Sequence, residues 1–329
     1  MKIAVIENEK VVLKETPDIT LAGRYGAIVK VLGCGLCGSD IVKLREHISK
    51  EGTVLGHEIV AQIIEIKSKT NFKIGDKIIT SHHIPCGTCR FCKNGNVSMC
   101  EHFKNTNIIP GGFSEFVYLS EEHLNNVAHL IPENLTEIEA SFYEPLGCCV
   151  RAVKRGNLKR GQSVLVVGLG SIGILMAQAL KAYGAEVTGC DLIPERIEFL
   201  KKLGINALNV KDLPKDMEAD AVYMTSGADK ALDTALKSVR NGGTILIFSS
   251  TPLNSGYPNN EIYYRELTIL GSYSPSPQDL KDSLELLRTG KVRVKGISTT
   301  YAHKDIQKAI DDTVSNKIMK AYIEIGKRN

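Results

Sequence analysis

The chain has 329 residues, of which 43% are hydrophobic and 24% charged, with a formal net charge of +4. This is an ordinary globular balance, with length for about two domains. The basic residues are scattered, so neither nucleic acid nor a membrane surface is indicated as a partner, and no apolar run approaches the roughly 18–20 residues of a membrane span.

The first part of the chain reads as short β-branched, apolar runs broken by Gly, Asn and Asp. Residues 3–6, 26–32, 59–66 and 77–80 are examples. They predict an antiparallel, partly closed sheet. From about residue 148 the rhythm changes. A short buried strand at 164–167 precedes helical periodicity over 172–183, and a strand at 186–190 precedes a helix over 194–203. Apolar runs at 221–225, 244–248 and 267–270 follow, with helical stretches such as 230–239 between them. Alternating strand and helix predicts an α/β fold with a parallel sheet and crossover helices. Prolines at 275 and 277 mark a break. Residues 279–288 and 304–314 then read as amphipathic helices, and 321–325 as a final strand. There are no internal repeats.

Nine cysteines are present, an odd number, and their spacing is uneven. The N-terminal Met1-Lys2-Ile3-Ala4-Val5 carries no apolar signal region, so a cytoplasmic location is expected. In a reducing compartment clustered cysteines argue for metal rather than disulfides. Cys86, Cys89, Cys92 and Cys100 fall within 15 residues. Four thiolates can close a tetrahedral zinc shell with no open position, which makes this a structural site. An iron–sulfur cluster could use the same ligands, but the rest of the chain does not need one.

Gly168, Gly170 and Gly173 lie in a Gly-rich turn between the strand at 164–167 and the following helix. This is the setting of a dinucleotide-binding Rossmann fold. The first Gly permits the turn, the second lets amides approach a pyrophosphate, and the third lets the helix pack close. Ser171 and Ile172 begin the helix whose N-terminus favours the diphosphate. Asp191 ends the second strand, 18 residues after Gly173. An acid there accepts from the ribose hydroxyls and repels a 2′-phosphate, which favours NAD over NADP. Arg196 is close enough to stack on adenine or meet a phosphate.

Three further stretches hold metal-ligand types: Cys34 to Asp40, Gly56-His57-Glu58 and Glu144-Pro145-Leu146. With the four-cysteine loop and the Gly fingerprint, they follow the order found in zinc-containing medium-chain dehydrogenases. The chain resembles that family over essentially its whole length, including Gly112 to Phe116 and Arg265 to Ser272. It resembles most the polyol branch: sorbitol, galactitol-phosphate and threonine dehydrogenases. There a glutamate stands where other alcohol dehydrogenases place a second cysteine ligand, and Glu144 fits. The resemblance implies a GroES-like catalytic domain over 1–147, completed by 271–329, with the Rossmann domain over 148–270. It implies that Cys37, His57 and either Glu58 or Glu144 hold a catalytic zinc, the second of two per chain. The other carboxylate would hold the zinc-bound water. The open position would take the substrate oxygen, and a cleft between the domains would hold the nicotinamide nearby. Ser39 matches the position that takes the alcohol proton. A homodimer or homotetramer is implied as well.

Two features depart from the family pattern. Val42 stands where many relatives place a histidine that passes the proton to solvent, so that route is shortened, runs through water or ribose hydroxyls, or uses a neighbour such as His47. Only 20 residues separate Cys37 from His57, fewer than in many relatives, and the shortened loop helps line the substrate cleft. No relative's substrate is therefore carried over. Asp40, Cys34, Cys148, Cys149 and Cys190 are read as structural, and His82 and His83 as packing or cleft-bordering. Lys43 and Arg45 read as a solvated loop that could meet a phosphate or carboxylate.

The expected function is hydride transfer between NAD and a secondary alcohol: a polyol, a sugar-derived or phosphorylated polyol, or an amino alcohol. A zinc-free enone or quinone reductase of the same fold is the alternative, and a zinc-ribbon binding module built on residues 86–100 is a remote one.

Overall fold

The computed structural model describes residues 1–228, 230–249 and 258–326. Two compact units emerge. One comprises Met1–Pro145, Ser276–Arg288 and Val294–Asn329; the other comprises Leu146–Pro275 and Thr289–Arg293. No helix among the described residues is long and apolar enough to cross a membrane.

The first unit opens with a hairpin of β1 (Lys2–Glu7) and β2 (Lys10–Glu15). Asn8 and Glu9 both take positive φ at its tip, which matches the twist of a two-residue hairpin turn. Five more strands follow: β3 (Gly26–Gly35), β4 (Glu58–Lys67), β5 (Lys77–Ile79), β6 (Phe116–Ser120) and β7 (His129–Leu130). β3 is the hub and pairs antiparallel with both β4 and β6. Its inward side chains, Val29 and Val31, are fully buried with Ala61, Ile63, Ile78, Val117 and Leu119. Each of the valine, leucine and isoleucine side chains contributes roughly 1.5–3 kcal/mol on burial.

The second unit carries β8 (Ser163–Val167), β9 (Glu186–Asp191), β10 (Asn206–Asn209), β11 (Ala219–Met224), β12 (Val239–Ile247) and β13 (Thr268–Gly271). They form one parallel sheet in the order β10-β9-β8-β11-β12-β13. That is the doubly wound dinucleotide-binding order.

The chain then returns to the first sheet with β14 (Ser298–Ala302) and β15 (Lys320–Glu324). β15 lies antiparallel on β3, and β14 lies parallel to β15. The sequence pattern predicted only antiparallel pairing here and did not mark β14 or β10. Both are edge strands rich in Ser, Thr or Asn, which have little apolar alternation to read. The helix Ile306–Val314 covers this sheet with Ile306, Ala309 and Ile310.

The register across β15, β3 and β4 sets up the site. Tyr322 pairs with Gly35, and Gly35 with Glu58. An ideal Cβ on Gly35 would lie 1.9 Å from Glu58 Oε2, so any larger residue there would displace that carboxylate.

Candidate active site

Cys37 stands two residues beyond the end of β3 and opens the helix Gly38–Arg45, while His57 and Glu58 lead into β4. This brings one ligand atom each from Cys37, His57 and Glu58 within 4.8 Å of one another. His57 and Glu58 are buried, and Cys37 is half-buried. Asp40, also buried, organises the cluster. Its Oδ1 lies 3.4 Å from His57 Nδ1 and accepts from Gly56 N, while its Oδ2 accepts from Cys37 N. A carboxylate that holds one ring nitrogen of a histidine leaves the other for a metal ion. Asp40 was assigned no chemistry from sequence. Its place in the first turn after Cys37 was the available signal.

Burial disfavours an imidazolium at His57, but the charges of Asp40 and Cys37 outweigh it and raise its pKa well above the usual range. Burial alone would raise the Asp40 pKa, yet His57 and Lys43 hold it below the ordinary value. The cluster thus draws a positive charge to His57, and a bound cation would replace the proton.

Glu58 shows the fit to a metal most directly. Its Oε1 is buried and accepts no hydrogen bond. A carboxylate oxygen in that state, beside a thiol and an imidazole, is a costly orphan that a divalent cation would satisfy. On its other side, Oε2 lies 2.5 Å from Lys320 Nζ, and both residues are buried. Lys320 also donates to Leu36 O at 3.1 Å. The sequence reading missed Lys320. A lysine heading the otherwise apolar run of β15 was the only hint.

The remaining expected residues fall as follows. Ser39 is exposed, and its Oγ donates to Cys37 Sγ at 3.3 Å. Glu144 is buried in the first turn of the helix Tyr143–Arg155 but is not among the atoms gathered around Cys37. His47 faces Glu9, with Nε2 3.7 Å from Oε1, and its side chain is largely exposed. His82 packs on His57 with ring centroids 4.6 Å apart, and on His83 at 3.9 Å. Cys34, Cys149 and Cys190 are buried, and Cys148 is half-buried.

Cys86, Cys89, Cys92 and Cys100 also place their sulfurs within 4.8 Å of one another. The Cys86–Cys92 and Cys89–Cys92 separations are 4.0 and 3.6 Å. A tetrahedron with 2.3 Å Zn–S arms has edges of about 3.8 Å. The loop therefore fits one zinc ion, with every position taken by protein.

In the parallel sheet, Gly168 takes φ +95° in the turn after β8, and a Cβ on Gly173 would lie 1.8 Å from Gly168 O. Next to Gly170, by contrast, there is open space. Gly170 caps the helix Ser171–Ala182, whose first residues are Ser171 and Ile172. Asp191 Oδ2 accepts from Leu169 N at 2.6 Å, and Oδ1 accepts from Leu192 N and Ile193 N. Arg196 approaches Oδ2 at 3.7 Å. A carboxylate has about four acceptor sites, so Asp191 anchors the glycine turn and keeps capacity for a ribose hydroxyl.

Comparison with known proteins agrees with this geometry. Residues 23–130 match the family model of the alcohol dehydrogenase GroES-like domain, and residues 171–289 match that of zinc-binding dehydrogenases. The chain is 28% identical to sorbitol dehydrogenase of Bacillus subtilis, across 98% of this chain and 97% of that one. It is 30% identical to D-xylulose reductase A of Aspergillus oryzae, across 95% and 93%. It superposes on alcohol dehydrogenase TADH from Thermus sp. ATN1 with a TM-score of 0.85 at 26% identity, covering 99% of this chain and 100% of that one. The four-cysteine loop is thus part of a dehydrogenase and not a free-standing binding module. The chain belongs to the zinc-containing medium-chain dehydrogenases, in their polyol branch.

Proposed function

We propose that Cys37, His57 and Glu58 hold the zinc at which this polyol dehydrogenase works, and that NAD takes the hydride. The observation that carries the reading is the buried, unpartnered Oε1 of Glu58 beside Cys37 and His57. Glu144, buried outside this cluster, is the second carboxylate rather than a direct ligand. A zinc ion held here supplies Lewis acidity to a substrate oxygen, and the nicotinamide supplies the hydride acceptor.

The chain's own residues do the rest. Asp40 fixes the His57 ring. Lys320 balances the charge of Glu58. Ser39, next to Cys37 Sγ, accepts the proton of the alcohol, and because it is exposed it passes that proton straight to water. No histidine relay is needed at Val42. A secondary alcohol and NAD thus give a ketone, NADH and one proton released to solvent.

Gly168, Gly170 and Gly173 with Asp191 seat the dinucleotide in its NAD form. No disulfide joins any of the nine cysteines, which supports the reading of a cytoplasmic enzyme. A homodimer or homotetramer is the expected assembly, and a monomeric mass by light scattering would remove that expectation.

The test is a metal count joined to activity. Wild-type protein should carry two zinc ions per chain and reduce NAD with a polyol. Cys37→Ser should stay folded, carry one zinc ion and lose turnover. Two ions and full rate in Cys37→Ser would sink the assignment. One ion in the wild type would favour a zinc-free reductase.

A further inference from the structure

A cavity of about 540 Å³ opens in the first unit, and none of the residues gathered around Cys37 lines it. Segments far apart in sequence close it: the hairpin of β1 and β2, the paired strands β3 and β6, and the ends of β14 and β15. Lys30 on its wall precedes Gly35 by five residues on β3, which is about 16 Å of strand. The reaction above makes no use of this space.

Positive charge is in excess on its walls. Lys2, Lys30 and Lys304 line it together with Glu115 and Glu324. Although two carboxylates share the cavity, none of the three ammoniums has a hydrogen-bond or ion-pair partner among the described residues. Lys30 is half-buried, so solvent screens its charge only in part. Glu115 is held in place, because its Oε2 accepts from Lys2 N at 2.7 Å. His303 is buried at the wall, with Nε2 3.1 Å from Phe113 O. The ring donates there, which leaves Nδ1 as an acceptor. Phe116, Leu13 and Ile325 add apolar surface. Unpaired cations, hydroxyl acceptors and an aromatic ring thus meet in a volume that suits a small organic ligand.

We propose that this cavity binds a nucleoside phosphate, as a ligand distinct from both substrate and cofactor. Lysine ammoniums hold phosphate as point charges. Phe116 offers a ring on which a base stacks. Glu115, Glu324 and His303 accept from ribose hydroxyls or from an amino group of the base. Free phosphate would engage the lysines but leave the apolar wall unfilled. The site is independent of the polyol reading, since no residue in it belongs to that machinery.

The test uses the zinc-loaded enzyme saturated with NADH, which fills the glycine turn of the other unit. AMP, ATP and inorganic phosphate are titrated in by calorimetry, while NADH fluorescence reports any displacement of the cofactor. One of the nucleotides should bind with NADH undisturbed, about tenfold or more tightly than inorganic phosphate. Which nucleotide leads identifies the number of phosphates held. Lys30→Met joined to Lys304→Met should weaken that binding about tenfold or more, and the corresponding pair of Arg substitutions should restore most of it. An unchanged melting temperature without ligand shows that the double variant is folded. Phe116→Ala should weaken the nucleotide and spare inorganic phosphate. Failure of both nucleotides to bind overturns the proposal, as does release of NADH by the nucleotide. Inorganic phosphate binding as tightly, or an affinity that the double Met variant leaves unchanged, overturns it as well.

Discussion

Lys320 Nζ and Glu58 Oε2 meet at 2.5 Å in a buried ion pair, although the two residues come from opposite ends of the chain. The order β15-β3-β4 brings them together across Gly35. Removing the ammonium would strand a buried anion, a defect that costs about 3–5 kcal/mol. Lys320→Met should therefore lose about that much stability in denaturant when the protein is free of metal. With zinc bound the loss should shrink, because a cation beside Glu58 takes over the balancing charge. Lys320→Arg should recover part of it. Equal losses with and without zinc would mean that Glu58 does not face the ion.

Asp40 gives a pH prediction. Its charge and that of Cys37 overcome burial to raise the His57 pKa. Below that raised pKa, zinc must displace a proton from His57, so affinity grows as pH rises. Above it, the His57 contribution is flat. Asp40→Asn removes the supporting charge and lowers the His57 pKa, so the plateau should begin at a lower pH. Its height should also fall by about 10–100-fold, since the histidine loses its orienting partner. Competition against a chromophoric chelator across pH reads both effects, and an unshifted profile would detach Asp40 from the metal.

These two relationships mark where sequence reading stops. The glycine turn at Gly168 to Gly173 and the loop from Cys86 to Cys100 are local, so their spacing alone implies their chemistry. The triad is not local. Family resemblance grouped Cys37, His57, Glu58 and Glu144 but left the two glutamates unranked. The pairing of β3 with β4 is what brings Glu58 beside Cys37. Asp40 was set aside because its partner His57 lies on another element. Lys320 was invisible because nothing local links β15 to Glu58. His47, a candidate for the proton route, turns instead to Glu9.

The four-cysteine loop should take up zinc with proton release. In the metal-free loop, hydrogen bonds from Thr88 hold Cys86 down to about 5. Burial and the Cys89 thiol push Cys92 up to about 12. At pH 7 Cys86 is then already a thiolate, while Cys92 keeps its proton. Zinc binding must expel at least that proton, so affinity should climb with pH above neutrality. Calorimetry in buffers of different ionisation enthalpy should show one or more protons released. Cys92→Ser should release fewer, carry one zinc ion per chain and melt several degrees lower. Unchanged proton release would place the ion elsewhere.

Asp191 should decide between the two nicotinamide cofactors. Three backbone amides, of Leu169, Leu192 and Ile193, hold its carboxylate, and Arg196 stands 3.7 Å from Oδ2. The anion therefore both shapes the glycine turn and repels a ribose phosphate. Asp191→Asn keeps one acceptor oxygen for the turn but removes the charge. It also removes the negative charge 3.7 Å from Arg196, whose guanidinium suits a 2′-phosphate. Losing a charge-assisted hydrogen bond to the ribose costs roughly 1.5–3 kcal/mol. The ratio of kcat/KM for NAD over NADP should then fall by at least tenfold. Part of the change should come from a gain with NADP, because the repulsion is removed at the same time. Initial rates with both cofactors measure it directly. A ratio that does not move would show that Asp191 serves the turn alone and that cofactor choice lies with other residues.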